Sequence, residues 1–202
     1  MSERPPDLRH DWKRALPVLA GPTLTLREPR ESDLSSLIDL LSTADATRFA
    51  IEDDRAEVAA LTLIERARQD REKGTAFTYV AVTNGTEQLV GAFQVRALDP
   101  SFEIAEWEGT LLPSVRGTNT FIEAARLLGS FAFGTVGANR LEARVLLHNG
   151  RANGALRKLG AVQEGVLRRA IRRQHAYYDQ VLWSLLKDDW SEHWVTTAAR
   201  VH

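Results

Sequence analysis

At 202 residues, with 44% hydrophobic and 26% charged side chains, the chain is one ordinary domain able to bury a core of its own. Cysteine is absent, which excludes disulfides, thiolate metal sites, iron–sulfur clusters and a cysteine nucleophile. Lys and Arg number 26 against 27 Asp and Glu, a net charge of -1 that removes the broad attraction behind non-specific nucleic-acid binding.

No apolar run approaches the roughly 18 residues of a membrane span, so the expectation is a chain neither inserted nor exported, cytoplasmic by default. Residues 1–21 are polar with scattered apolar side chains (Trp12, Leu16, Val18, Leu19) and read as an N-terminal arm. Leu24 and Leu26 alternate before Pro29, which suggests a first strand. Ser32 reads as an N-cap, followed by Leu34, Leu37, Ile38 and Leu41 on one helical face. A second helix is expected from Ala56 to Lys73, with Val58, Leu61 and Ile64 inward and Gly74 as its stop.

Two β-rich stretches, 76–83 and 88–97, flank Asn84-Gly85, a strong hairpin signal, and a third runs from about Glu103 to Leu112. Ile122, Leu127, Leu128, Phe131 and Ala132 give helical periodicity up to Gly134 or Gly137. A strand over 140–147, a short helix over 151–158 stopped by Gly160, and two strands over 162–167 and 177–186 complete the domain at about residue 190. Residues 191–202 form a tail. The predicted order, β-α-α-β-β-β-α-β-α-β-β, is an α/β fold with a mixed sheet and helices on both faces.

Hydrolase elbows, phosphate-loop lysines, H-E-x-x-H and strand-following G-x-G-x-x-G motifs are all missing, and the five histidines show no metal-ligand spacing, so no metal is expected. The informative segment is Leu111-Leu112-Pro113-Ser114-Val115-Arg116-Gly117-Thr118-Asn119-Thr120-Phe121-Ile122-Glu123-Ala124, which runs from strand through a short loop into a helix. Residues Arg116 to Thr120 offer unpaired N–H groups at a helix N-terminus, the requirement for holding a pyrophosphate; an ordinary strand-to-helix turn looks the same.

This segment resembles the acetyl-CoA loop of the GCN5-related N-acetyltransferases (GNAT), [QRW]-x-x-G-x-[GA] after the fourth strand with a Glu-Ala pair opening the helix. Asn139-Arg140-Leu141-Glu142-Ala143-Arg144-Val145 is similar to the fifth strand of the ribosomal-protein-alanine (RimJ/RimL-like) branch. Asn149, the run Leu156 to Arg168 (LRKLGAVQEGVLR) and Tyr178 to Leu186 resemble its later blocks. The resemblance covers about residues 22–190. It departs at Asn119 and Phe121, where glycine and a small residue are usual, and at Ala152, where a serine is common. Some members of this branch carry phenylalanine at the loop position and an Asn-Gly-Arg-x-Asn stretch like Asn149 to Asn153, which favours a Phe121 ring turned inward as a core residue over one that points at the phosphates and blocks them.

The resemblance implies direct attack of a primary amine, of a protein N-terminus or a small molecule, on acetyl-CoA in a ternary complex. Leu111, Leu112, Arg116, Gly117, Thr118, Asn119, Thr120, Phe121, Asn149 and Asn153 would bind the cofactor, and a fourth-strand amide would face the developing oxyanion. Glu106 and Glu108 share one strand face, and Glu108, nearer the loop, is the preferred base; a solvated strand face would show the same alternation. A catalytically silent member of this fold, serving as a binding module, is the rival reading. Arg168-Arg169-Ala170-Ile171-Arg172-Arg173 is expected as a basic connection between strands, with no aromatic interleaving to favour nucleic acid. A homodimer is one option, with Trp12, Trp190 and Trp194 as docking places.

Overall fold

The computed structural model describes residues 11–43, 56–173 and 176–190. In chain order the elements are β1 (Leu19–Ala20), β2 (Leu24–Arg27), α1 (Leu34–Leu41), α2 (Ala56–Lys73), β3 (Ala76–Thr83), β4 (Leu89–Ala97) and β5 (Ile104–Leu111). They continue with α3 (Thr120–Phe131), β6 (Arg140–Leu146), α4 (Gly150–Lys158), β7 (Val162–Arg173) and β8 (Ala176–Leu186). Among the described residues the strands form one sheet, β1-β2-β3-β4-β5-β6-β8-β7, antiparallel except between β5 and β6. This is the expected mixed sheet, with β1 added at one edge.

Residue alternation divides the core in two. On one sheet face Val80, Val82, Leu89 and Ala92 pack against Leu37 and Leu40 of α1 and Ala60 of α2. On the other, Phe77, Tyr79, Val95, Leu141, Val181 and Trp183 meet Leu128 and Phe131 of α3 and Leu156 of α4. The arm is bound to this second layer from residue 11 onward. Trp12 meets Phe77 and Phe102 edge-on, at 5.7 and 5.4 Å between ring centroids, and the Tyr79 hydroxyl donates to the Pro17 carbonyl at 3.0 Å.

Four expectations change. Val58 and Leu61 are exposed, and α2 turns Ala60, Ala67 and Arg71 inward instead. Small side chains let the helix lie close to the sheet, and the Arg71 guanidinium is buried because it donates to Glu28 at 2.6 Å and to the Lys13 carbonyl. Ser32 is not the cap of the first helix. A 3-10 turn over Glu31–Asp33 precedes α1, and Asp33 accepts from the Arg30 N–H at 2.8 Å and from both Arg27 terminal nitrogens at 2.7 Å. The arginine run is not a connection, since β7 continues through it to Arg173. Finally, Trp12 and Trp190, expected as docking places, are buried in the second layer; the expected hairpin stands, its loop over 84–87 closed by the Thr83 N–H on the Gln88 carbonyl, with Gly85 and Glu87 both left-handed. Trp194 and the tail lie outside the described residues.

Candidate active site

The site begins where two parallel strands part. β5 and β6 pair only over Ile104–Arg140, Ala105–Leu141 and Glu106–Glu142. Beyond Glu106 each keeps its outer partner, β5 on β4 as far as Leu111 and β6 on β8 as far as Leu146, while their inner edges separate. The Leu98 N–H bonds to the Ile104 carbonyl and the Leu112 N–H to the Val90 carbonyl, so even-numbered residues of β5 bond β4. By alternation the N–H and C=O groups of Gly109 and Leu111 face the gap. The Arg116 guanidinium answers one of them, with Nε 3.2 Å and a terminal nitrogen 3.0 Å from the Leu111 carbonyl. Arg116 thus stands where a β6 N–H would have been.

The strand-to-helix loop supplies further donors. Gly117 is left-handed (φ 80), whereas Asn119, where the family's glycine was expected, is right-handed (φ -77) and needs no special conformation. Thr118 Oγ accepts from the Thr120 N–H at 3.2 Å and donates to the Val115 carbonyl at 2.6 Å. The N–H groups of Gly117, Thr118 and Asn119 find no acceptor among the described residues, and they stand at the positive end of the 12-residue α3. Leu112 packs toward the α1–α2 cluster. Phe121 turns inward, stacked on Trp107 at 6.0 Å and tilted against Phe93 at 6.1 Å, so its ring leaves the loop open. Gly109 is required beneath it, since a Cβ there would stand 2.4 Å from the Phe93 ring.

The head of α3 is also anchored from behind. The buried Glu123 carboxylate accepts from the Thr23 N–H at 2.8 Å, the Thr23 hydroxyl at 2.5 Å and the Leu24 N–H at 3.2 Å. Sequence reading did not find this contact, because its partners are about a hundred positions apart.

Glu106 and Glu108 share the sheet face that α1 and α2 flank, and their surroundings differ. Glu106 is ion-paired on both sides, to Arg144 at 2.8 Å and to Arg96. Glu108 has neither a hydrogen bond nor an ion pair among the described residues. The residue as a whole is exposed, yet desolvation of its carboxyl pushes it above the usual carboxylate range; Glu106 adds repulsion and Arg96 opposes it. Across the strand from Glu108 stands Gln94, whose amide donates to the buried Thr78 hydroxyl at 3.1 Å.

At the end of β6, Asn149 caps α4, its side-chain oxygen accepting from the Ala152 N–H at 3.2 Å. Asn153 is committed to the protein. Its amide nitrogen donates to the Leu146 and Asn149 carbonyls at 3.0 and 2.9 Å, and its oxygen accepts from the Trp183 indole at 2.8 Å. Both ends of the Asn153 amide are thus engaged within the protein, which gives it a structural role beside the one expected at a ligand, with one lone pair of its oxygen left to accept.

Toward β8 and β7 the same face carries a ladder of charge. Arg140 donates to Glu142 at 2.9 Å and to Glu164 at 2.7 and 2.5 Å, and Arg144 reaches Glu142 at 3.3 Å. Glu164 sits in a β-bulge that aims it at Arg140 and at the Ser184 hydroxyl, 2.8 Å away, and these hold its carboxyl down to about 2. Among the described residues no acidic or histidine cluster could hold a metal ion, and no helix is long and apolar enough to cross a membrane.

A model of the acetyltransferase (GNAT) domain family matches residues 23–162. The chain is 24% identical over 172 residues to YoaA of Bacillus subtilis, named an uncharacterised N-acetyltransferase, covering 85% of this chain and 97% of that one. Among solved structures it superposes on Mycobacterium smegmatis RimJ in complex with CoA-disulfide, with a TM-score of 0.75, 20% identity and coverage of 91% of this chain and 92% of that one. A GNAT-family acetyltransferase from Bacillus anthracis gives a TM-score of 0.75 at 16% identity, covering 85% and 99%, and the ribosomal-protein-S5-alanine acetyltransferase of Vibrio fischeri 0.72 at 18%, covering 86% and 98%.

Proposed function

Because the chain belongs to the GNAT acetyltransferase family, we propose that it moves the acetyl group of acetyl-CoA to a primary amine, of a protein N-terminus or a small molecule, by direct attack at the gap between β5 and β6. The observation that carries this reading is a coincidence at one end of the sheet. The inner edges of two parallel strands open there, beside three N–H groups that find no acceptor among the described residues at the head of α3.

The residues fit the cofactor. The N–H groups of Gly117, Thr118 and Asn119 would hold its pyrophosphate, with Leu111, Leu112 and Asn149 along the path of its arm and Phe121 folded away beneath. When bound, acetyl-CoA supplies an activated acyl carbon. The Gly109 and Leu111 N–H groups, which face the gap, are placed to stabilise negative charge developing on the acyl oxygen. Glu108 takes the proton of the attacking amine, since a carboxylate of raised pKa, without a counter-ion among the described residues, is both available and more basic than an ion-paired one. Glu106, held by Arg96 and Arg144, keeps the strand face rigid. No side-chain acid stands where a serine is common, so Ala152 leaves the thiolate to depart unaided or with a proton from water.

Calorimetric titration with acetyl-CoA and with CoA tests the cofactor site. Micromolar binding of both is expected, weakened in Arg116→Ala because the β5 edge loses its prop. Failure of the intact chain to bind either ligand would refute the proposal.

A further inference from the structure

One strongly charged surface takes no part in the chemistry above. Between residues 146 and 186 the sequence holds seven Lys and Arg against two acids, in a chain of net charge -1. The excess concentrates where the β7–β8 hairpin outruns the sheet. β6 ends opposite Gln180, and its last tie to β8 is the Leu147 N–H on the Asp179 carbonyl at 2.9 Å, so 168–173 and 176–178 extend past it as a two-stranded overhang.

The overhang is built and not slack. Three residues, Arg168 to Ala170, bulge out against Asp179, whose carboxylate accepts the Arg169 N–H at 2.7 Å while Arg169 takes a left-handed backbone (φ 52). Arg172 lies over the Tyr177 ring at 6.0 Å, and Tyr178 packs on His148 at 5.7 Å, which fixes the overhang to the loop leading into α4. Arg168, Arg169 and Arg172 are exposed, and none forms an ion pair among the described residues. In contrast, the guanidiniums of Arg96, Arg140 and Arg144 on the neighbouring sheet face are all matched by carboxylates. β5 and β6 are parallel, so the unmatched cations stand at the end of the sheet toward which the gap opens.

We propose that this overhang selects the acceptor, and that the acceptor is an acidic polypeptide whose N-terminal amine enters the gap while its first carboxylates meet Arg168, Arg169 and Arg172. The proposal rests on the acetyl-transfer reading and names its substrate class. Guanidiniums on a braced two-stranded scaffold lose little freedom on pairing with carboxylates, and an exposed basic rim raises the encounter rate of an oppositely charged chain.

The full chain is assayed with acetyl-CoA and octapeptides that share an N-terminal alanine followed by aspartate and glutamate, by serine and glycine, or by lysine. The expected kcat/KM order is acidic, neutral, basic, with at least about tenfold between the extremes at low salt, and a gap that narrows as salt is raised. Combined Arg168→Glu, Arg169→Glu and Arg172→Glu reverses the order while acetyl-CoA affinity is unchanged; an Arg→Gln triple variant, which abolishes the preference without adding charge, controls for folding. Equal use of the three peptides, or a charge reversal that weakens acetyl-CoA instead and so assigns the arginines to the cofactor phosphates, overturns the proposal. So does RNA binding lost in the triple variant with peptide turnover unaltered. Binding of acetyl-CoA without turnover of the acidic peptide overturns this proposal alone, whereas no acetyl-CoA binding sinks the acetyl-transfer reading beneath it.

Discussion

The two halves of one sheet face solve the same problem in opposite ways. Across β3 and β4 the face is apolar and covered, with Val80, Val82 and Ala92 beneath α1 and α2. Across β5, β6 and β8 no helix lies on it among the described residues, and it carries Glu106, Arg144, Glu142, Arg140 and Ser184, each hydrogen-bonded to a neighbour. Glu108 stands at the boundary, belonging to neither half: its carboxyl is partly desolvated and has no ion-pair partner among the described residues. What the contrast teaches is that a carboxylate at the seam between an apolar layer and a salt-bridged one loses hydration without gaining a partner among the described residues, and is shifted upward.

The contrast can be broken from the covered side first. Leu37→Ala, at a fully buried site, is expected to cost about 2–5 kcal/mol in denaturant unfolding. A loss under 1 kcal/mol would mean that the α1 layer is not part of the cooperative core. Asp33→Asn should cost about 1–3 kcal/mol at neutral pH, because it leaves Arg27 and the Arg30 N–H short of a charged acceptor. Burial pushes the Asp33 carboxyl up, but those partners outweigh it and hold it below its ordinary value. Its contribution is therefore present above the ordinary carboxylate range and lost as pH falls through the lowered value; a penalty independent of pH down to strongly acid solution would contradict this.

At the seam, Glu108→Gln should lower kcat at least about tenfold with acetyl-CoA affinity intact. An unchanged rate removes Glu108 from the role of base. The same variant should be slightly more stable than the parent at neutral pH, since a carboxyl raised in the folded state opposes folding once ionised, and the difference should vanish below the ordinary carboxylate range. The smallest effect belongs to the open half: Glu142→Gln is expected to change stability by less than about 1 kcal/mol, as for other partly exposed ion pairs, and less still in high salt.

Much of the fold was legible because it rests on local pattern. β-rich runs bounded by turn residues located β3 and β5, and period-two alternation β6, to within a residue or so, and Gly74 and Gly160 ended their helices in left-handed turns. The reading of α2 failed for a physical reason: its strongest apolar residues, Val58 and Leu61, face outward, and its inward stripe is made of alanines and an arginine that only the distant Glu28 and Lys13 make tolerable. The arginine run was misread because cross-strand partners, here Tyr177 and Tyr178, decide where a strand ends.

The site divides along the same line. The sequence by itself determined the loop of donors before α3, the pairing of Glu106 and Glu108 on one face, and the family to which those blocks belong, since each is a matter of residue type and short spacing. Only the tertiary structure decided that Phe121 turns away from the loop, that Asn153 is engaged by Trp183 and the end of β6, and that Glu106 is ion-paired while Glu108, among the described residues, is not. Those outcomes depend on which side chains from remote strands arrive within hydrogen-bonding or packing distance. Charge and solvation at a carboxylate are set by such neighbours, and spacing along the chain carries no record of them.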